Sequence, residues 1–138
     1  MLNILVLNPY KKNNYRIGKD NAGAYGTANQ YGDNFFCKIL NLLVRYSDSS
    51  PPLYAAQIIG ELYNSGHNVE YSQKITNKTY DLYIIISSIV CHETEIEVIK
   101  TLKSENKNII AAGPFATTVP QKYIEAGAKV ISGEPDMF

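Results

Sequence analysis

The stretch Leu82-Tyr83-Ile84-Ile85-Ile86 decides the fold. It is an unbroken apolar run, β-branched from Ile84 to Ile86, set between Asp81 and the pair Ser87-Ser88. A strand with one wet face alternates apolar and polar residues, whereas a strand covered on both faces is apolar throughout. The run therefore reads as the central strand of a parallel sheet. On its carboxyl side, Thr94 to Lys103 places Ile96, Ile99 and Leu102 on one helical face. Glu93, Glu95 and Glu97 stand near the positive end of that helix, and Lys100 and Lys103 near its negative end. Next come a strand, Asn108 to Ala112, a short helix, Gln121 to Ala126, stopped by Gly127, and a last strand, Ala128 to Ile131.

On the amino side, Asn68 to Tyr71 reads as a shorter strand, joined to the central one through Gln73 to Asp81. Before it, Pro51-Pro52 opens a helix with Ala55, Ile58, Ile59 and Leu62 in one stripe, and Ser65-Gly66 closes it. The first strand, Leu2 to Leu7, stops at Asn8-Pro9, because proline lacks an N–H and restricts the residue before it. Strands thus alternate with helices, with one direct strand-to-strand link. That order predicts a single α/β domain over residues 1–138 with a doubly wound parallel sheet and right-handed crossovers.

The exception to the alternation is an insert over residues 10–50, far longer than an ordinary strand-to-helix loop. Residues 11–32 are rich in Gly, Asn and Tyr and read as irregular. Residues 33–46 read as a helix with Phe36, Ile39, Leu40 and Leu43 in one stripe. Phe35, Leu42 and Val44 cannot all join that stripe, so the helix is either sandwiched inside the domain or open to a partner, including a second copy of the chain.

Composition narrows the function classes. The chain has 13 basic and 13 acidic residues, mixed along its length, which gives no footprint for nucleic acid or an anionic membrane. Its apolar runs fall short of the roughly 20 residues of a membrane span. Met1 leads directly into a strand without a signal-peptide pattern. Cys37 and Cys91 form neither a disulfide framework nor a zinc motif, and the expected compartment is the cytoplasm.

In an open parallel sheet, ligands bind outside the carboxyl ends of the strands, where loop amides and helix amino ends converge. Those positions hold Asn8-Pro9-Tyr10, Ser87-Ser88, Gly113 through Thr118, and Ser132-Gly133-Glu134. Small and hydroxyl residues there let a ligand approach the backbone, and they also serve plain strand-to-helix turns. No dinucleotide or P-loop glycine fingerprint follows a strand; Gly23-Ala24-Tyr25-Gly26 lies inside the insert. Adjacent Cys91 and His92 fit a helix entry better than a metal or nucleophile site. Glu93 and Glu95 fit the first turn of a helix as dipole partners, and His67 a turn at the solvent edge. No catalytic residues and no protein metal ligands emerge.

Four stretches in order carry a family likeness: Asn8-Pro9; Pro51-Pro52-Leu53-Tyr54-Ala55-Ala56 with Ser65-Gly66-His67-Asn68-Val69-Glu70; Ala112-Gly113-Pro114-Phe115-Ala116-Thr117; and Ser132-Gly133-Glu134. Together they resemble the amino-terminal cobalamin (vitamin B12)-binding domain of radical S-adenosylmethionine proteins, with its Gly-Gly-Pro-His-Ala-Thr and Gly-Glu-Gly-Glu signatures. The resemblance spans nearly the whole chain apart from the insert. It implies a Rossmann-like (flavodoxin-like) three-layer αβα sandwich, strand order 2-1-3-4-5, holding cobalamin at the carboxyl edge of the sheet. The matching positions are Asn8, Pro9, Ser87, Ser88, Gly113, Thr117, Thr118, Gly133 and Glu134.

The chain departs from related patterns in three ways. It lacks Asp-x-His-x-x-Gly, so no histidine from such a motif is expected on the cobalt. Phe115 stands where the radical enzymes often have His. There is also no Cys-x-x-x-Cys-x-x-Cys, so the iron–sulfur cluster and S-adenosylmethionine are expected only on a downstream barrel of a longer chain. The competing readings are a Rossmann-like scaffold that binds no cofactor and associates through the 33–46 helix, and a flavin- or nucleotide-binding domain.

Overall fold

The computed structural model describes residues 1–10, 17–19, 27–28, 31–47 and 51–133. Its strands are β1 (Asn3–Leu7), β2 (Ile17–Gly18), β3 (Thr27–Ala28), β4 (Asn68–Ser72), β5 (Leu82–Ile86), β6 (Ile109–Ala112) and β7 (Lys129–Ile131). Its helices are α1 (Phe35–Ser47), α2 (Leu53–Asn64), α3 (His92–Ser104), α4 (Pro114–Thr118) and α5 (Pro120–Ala126). Five strands form one all-parallel sheet in the order β4-β1-β5-β6-β7, the predicted 2-1-3-4-5 arrangement. The register sets Val6 opposite both Tyr71 and Ile84, and Ile85 opposite Ala111.

Alternation along the central strands divides the core into two layers. Leu5, Leu7, Tyr83, Ile85, Ile109 and Ala111 point to one face, where Ile99 and Leu102 of α3 and Tyr123 and Ala126 of α5 cover them. Ile4, Val6, Ile84, Ile86 and Ala112 point to the other, against Ala55 and Ile58 of α2. Each fully buried Leu or Ile contributes about 1.5–3 kcal/mol of transfer free energy. Residues Ile84 and Ile85, side by side in sequence, thus serve opposite layers, which is why the central strand is apolar without alternation.

The helix ends follow local chemistry. Past α2, Gly66 takes a left-handed φ of +82°, and the His67 N–H closes back on the Leu62 carbonyl at 3.1 Å. Before α1, the Asn34 side chain accepts the Cys37 N–H at 2.8 Å, so the helix begins at Phe35 rather than Asp33. Before α3, the Ser88 hydroxyl accepts the Cys91 N–H at 3.2 Å, and the helix starts at His92, earlier than Thr94. The short helix α4 was not expected; Pro114 starts it because its fixed φ suits a first helical position.

The insert differs from its sequence reading in two respects. Residues 11–32 read as irregular, but β2 and β3 inside them pair antiparallel, Ile17 with Ala28 and Gly18 with Thr27. Pairings of two residues carry no periodicity that a sequence could display. Residues 11–16, 20–26 and 29–30 lie outside the described residues. Helix α1 is not sandwiched: Phe35 is 72% and Phe36 76% exposed, and Ile39, Leu40, Leu42 and Leu43 are exposed with them. No helix among the described residues is long and apolar enough to cross a membrane.

Candidate functional site

Strands β1 and β5 are neighbours, but their crossovers leave to opposite faces, α2 on one and α3 on the other. Their carboxyl ends therefore flank the topological switch point, where open α/β sheets place their ligands. On the β1 side stands Asn8, whose side chain is fully buried. Its Nδ2 donates to the hydroxyls of Tyr10 (3.1 Å) and Tyr71 (3.0 Å), while its Oδ1 has no partner among the described residues. A buried amide oxygen left unmatched costs about 1–3 kcal/mol. Reversing the amide would not remove the problem; tyrosine hydroxyls can also donate, and Nδ2 would then lack its acceptor. Pro9 is buried beside it.

At the ends of β5 and β6 the small residues satisfy each other. The Ser87 hydroxyl accepts the Ala116 N–H at 2.9 Å, tying β5 to α4. Gly113 has φ +125°, and a Cβ there would lie 2.7 Å from Ser87 Oγ and 3.0 Å from the Ser87 carbonyl. Its missing side chain thus makes room for Ser87. Thr117 and Thr118 donate to the carbonyls of Gly113 (3.0 Å) and Pro114 (2.9 Å) one turn earlier. Thr117 Oγ1 also accepts the Gly133 N–H at 3.4 Å, and the Tyr54 hydroxyl donates to the Gly133 carbonyl at 3.3 Å. Glu134 lies outside the described residues. Asn8 thus offers an unmatched polar atom, Thr117 and Thr118 form an exposed rim, and Ser87 and Gly113 shape the turn beneath.

Ser88 belongs to a buried network centred on Glu95, which is fully buried. The carboxylate accepts the Lys19 ammonium (2.8 Å) and the Ser88 hydroxyl (3.0 Å) on Oε1, and the Ser88 N–H (3.1 Å) and Tyr123 hydroxyl (2.6 Å) on Oε2. Burial holds the Tyr123 hydroxyl far above its ordinary range, and the charge of Glu95 and the hydrogen bond to it push the same way. The sequence reading placed Glu95 among dipole partners in the first turn of α3. Its true place could be read from its spacing: Glu95, Ile99 and Leu102 fall at i, i+4 and i+7, on the stripe that packs against the sheet.

Cys91 and His92 serve the helix entry, as their position suggested. Cys91 is the buried residue preceding α3, and the His92 ring bonds the Ile89 carbonyl through Nδ1 at 2.7 Å. Phe115 packs its ring 5.0 Å from that of His92 and 6.3 Å from that of Tyr123, which makes it part of the α3–α5 layer. Among the described residues no group of three or more His, Cys, Asp or Glu could hold a metal ion. No family model, no curated protein and no solved structure matches the chain.

Proposed function

We propose that this domain is the cobalamin-binding module of a larger radical S-adenosylmethionine enzyme, with the nucleotide tail of the corrinoid entering at the β1–β5 switch point. The observation that carries the reading is the unmatched Oδ1 of Asn8, fully buried at that point. The four ordered sequence stretches, which resemble those of cobalamin-binding domains, support this choice of ligand, and the 2-1-3-4-5 sheet order agrees with a ligand at its carboxyl edge. In this reading Asn8 and Pro9 meet the tail, and Thr117, Thr118 and Gly133 form the rim. Ser87, Ser88 and Gly113 fix the turns beneath. When bound, cobalamin supplies a cobalt centre that can carry an alkyl group. The chain's own residues bind and orient it, and a downstream barrel in the same cytoplasmic protein holds the iron–sulfur cluster and S-adenosylmethionine. Mixing the full chain with hydroxocobalamin, desalting it and recording the visible spectrum tests this. Retained corrin absorbance is expected, and a colourless protein fraction contradicts the reading.

A second reading has its own observation. The exposed apolar residues of α1 suit a scaffold that associates through this helix. A concentration-independent monomeric mass in solution would remove self-association from that reading.

A further inference from the structure

Lys19, which follows β2, is buried and its ammonium reaches the carboxyl edge of the sheet. The Lys19 ammonium donates to the carbonyl of Ile86, the last residue of β5, at 3.1 Å. It donates to Glu95 in the first turn of α3 at 2.8 Å, and lies 5.6 Å from the ring centre of Tyr10, just past β1. These three partners bracket the gap between the ends of β1 and β5. A cation from the insert therefore stands in the crevice that the topology reserves for a ligand.

We propose that Lys19 is a displaceable plug. It pins residues 17–19 against the carboxyl edge of the sheet, and a ligand entering the switch point must first withdraw it. The second half of this statement rests on the reading that the ligand binds at this edge; the first half does not. The two partners of the ion pair are held unequally. Glu95 sits on the rigid α3 and keeps three other hydrogen bonds, from the Ser88 N–H, the Ser88 hydroxyl and the Tyr123 hydroxyl. Its position therefore survives the departure of Lys19. Lys19 sits next to a strand pairing of only two residues on each side. A buried ion pair is in general a weak net stabiliser, because desolvation of both charges offsets their attraction, but it fixes where a segment lies. The pair thus places residues 17–19 without being required by the sheet.

Native-state hydrogen exchange on the full chain separates this from a purely structural role. In the wild type, the amides of residues 17–19 should exchange through a local opening, about 100-fold or more faster than those of Ile84 and Ile85. Lys19→Met, which keeps the stem and removes the charge, should speed exchange at residues 17–19 by at least about a further tenfold, and that of Ile84 and Ile85 by no more than the same factor, because the lost bonds are absent from both the locally opened and the unfolded states. Glu95→Gln, which can still bond Ser88 and Tyr123, should do the same. Insert and sheet amides exchanging at one common rate in the wild type would overturn the proposal without any variant. So would no change in exchange at residues 17–19 in the variants. In stopped-flow mixing with hydroxocobalamin, Lys19→Met should associate about tenfold faster than wild type, because the competent open form is more populated; equal rates overturn the plug. If neither protein takes up the corrinoid, the cobalamin reading and ligand gating fail together, while the exchange data still decide whether Lys19 pins residues 17–19.

Discussion

Replacing Tyr123 by Phe removes one oxygen atom from the buried network and leaves the aromatic packing in place. The lost group donates to Glu95 Oε2 at 2.6 Å, with both side chains fully buried. A hydrogen bond to a charged acceptor contributes about 1.5–3 kcal/mol. Glu95 retains its bonds from Lys19 and Ser88, and the Phe ring can keep the edge contact with Phe115, so about 2 kcal/mol is expected. A domain of this size has a total stability on the order of 7–20 kcal/mol, so the variant still folds. Urea denaturation should show a lower midpoint with an unchanged slope. The alkaline limb supplies a second, independent sign. Because burial and Glu95 raise the Tyr123 pKa in the folded state, the hydroxyl favours folding fully below its unfolded value, about 10. That contribution is lost as the pH rises further, so the gap between wild type and Tyr123→Phe should close above about pH 10, by at most about 1.4 kcal/mol per unit. A gap below about 0.5 kcal/mol at neutral pH, or one that stays constant to about pH 11, would refute the reasoning.

Two further outcomes follow from the packing. Gly113→Ala forces a Cβ to within 2.7 Å of Ser87 Oγ at a φ of +125°, and should lower stability by about 3 kcal/mol in the same urea assay; an unchanged midpoint would show that the glycine is not set by Ser87. Replacing Phe36 and Leu43 together by Ser should change the stability of the dilute protein by no more than about 0.5 kcal/mol per site, because both side chains are exposed. A loss of several kcal/mol would mean that α1 is packed on the domain.

The sheet was legible because its signals are local. Leu82 to Ile86 announces a doubly covered strand, and Asn8-Pro9, Ser65-Gly66 and Gly127 punctuate the elements around it. Strand ends shifted by about one residue where pairing, rather than propensity, decided them: β4 extends to Ser72 because the Asn8 N–H bonds the Ser72 carbonyl at 2.9 Å. The site was less legible, because hydroxyls and glycines at strand ends look alike whether they face a ligand or each other. Ser87 and Gly113 are small for one another's sake, a relation across 26 positions that neither turn displays alone. Lys19 was beyond reach, since its partners Glu95 and Ile86 are far along the chain and nothing in residues 11–32 marks which lysine turns inward. Asn8 was found as a position, but its unmatched amide emerges only once Tyr10 and Tyr71 close around the other end.

The most direct test of the central claim is an equilibrium titration of hydroxocobalamin into the full chain and into Asn8→Leu. Leucine has the branching of asparagine but cannot hydrogen-bond, so the variant loses the Oδ1 acceptor together with the Nδ2 bonds to Tyr10 and Tyr71. The account predicts saturable one-to-one binding to the wild type. It also predicts roughly tenfold or greater weakening in the variant, the effect of losing one buried hydrogen bond of about 1.4 kcal/mol. Equal affinities would move the ligand away from the β1–β5 switch point, and no saturable binding to the wild type would contradict the cobalamin reading itself.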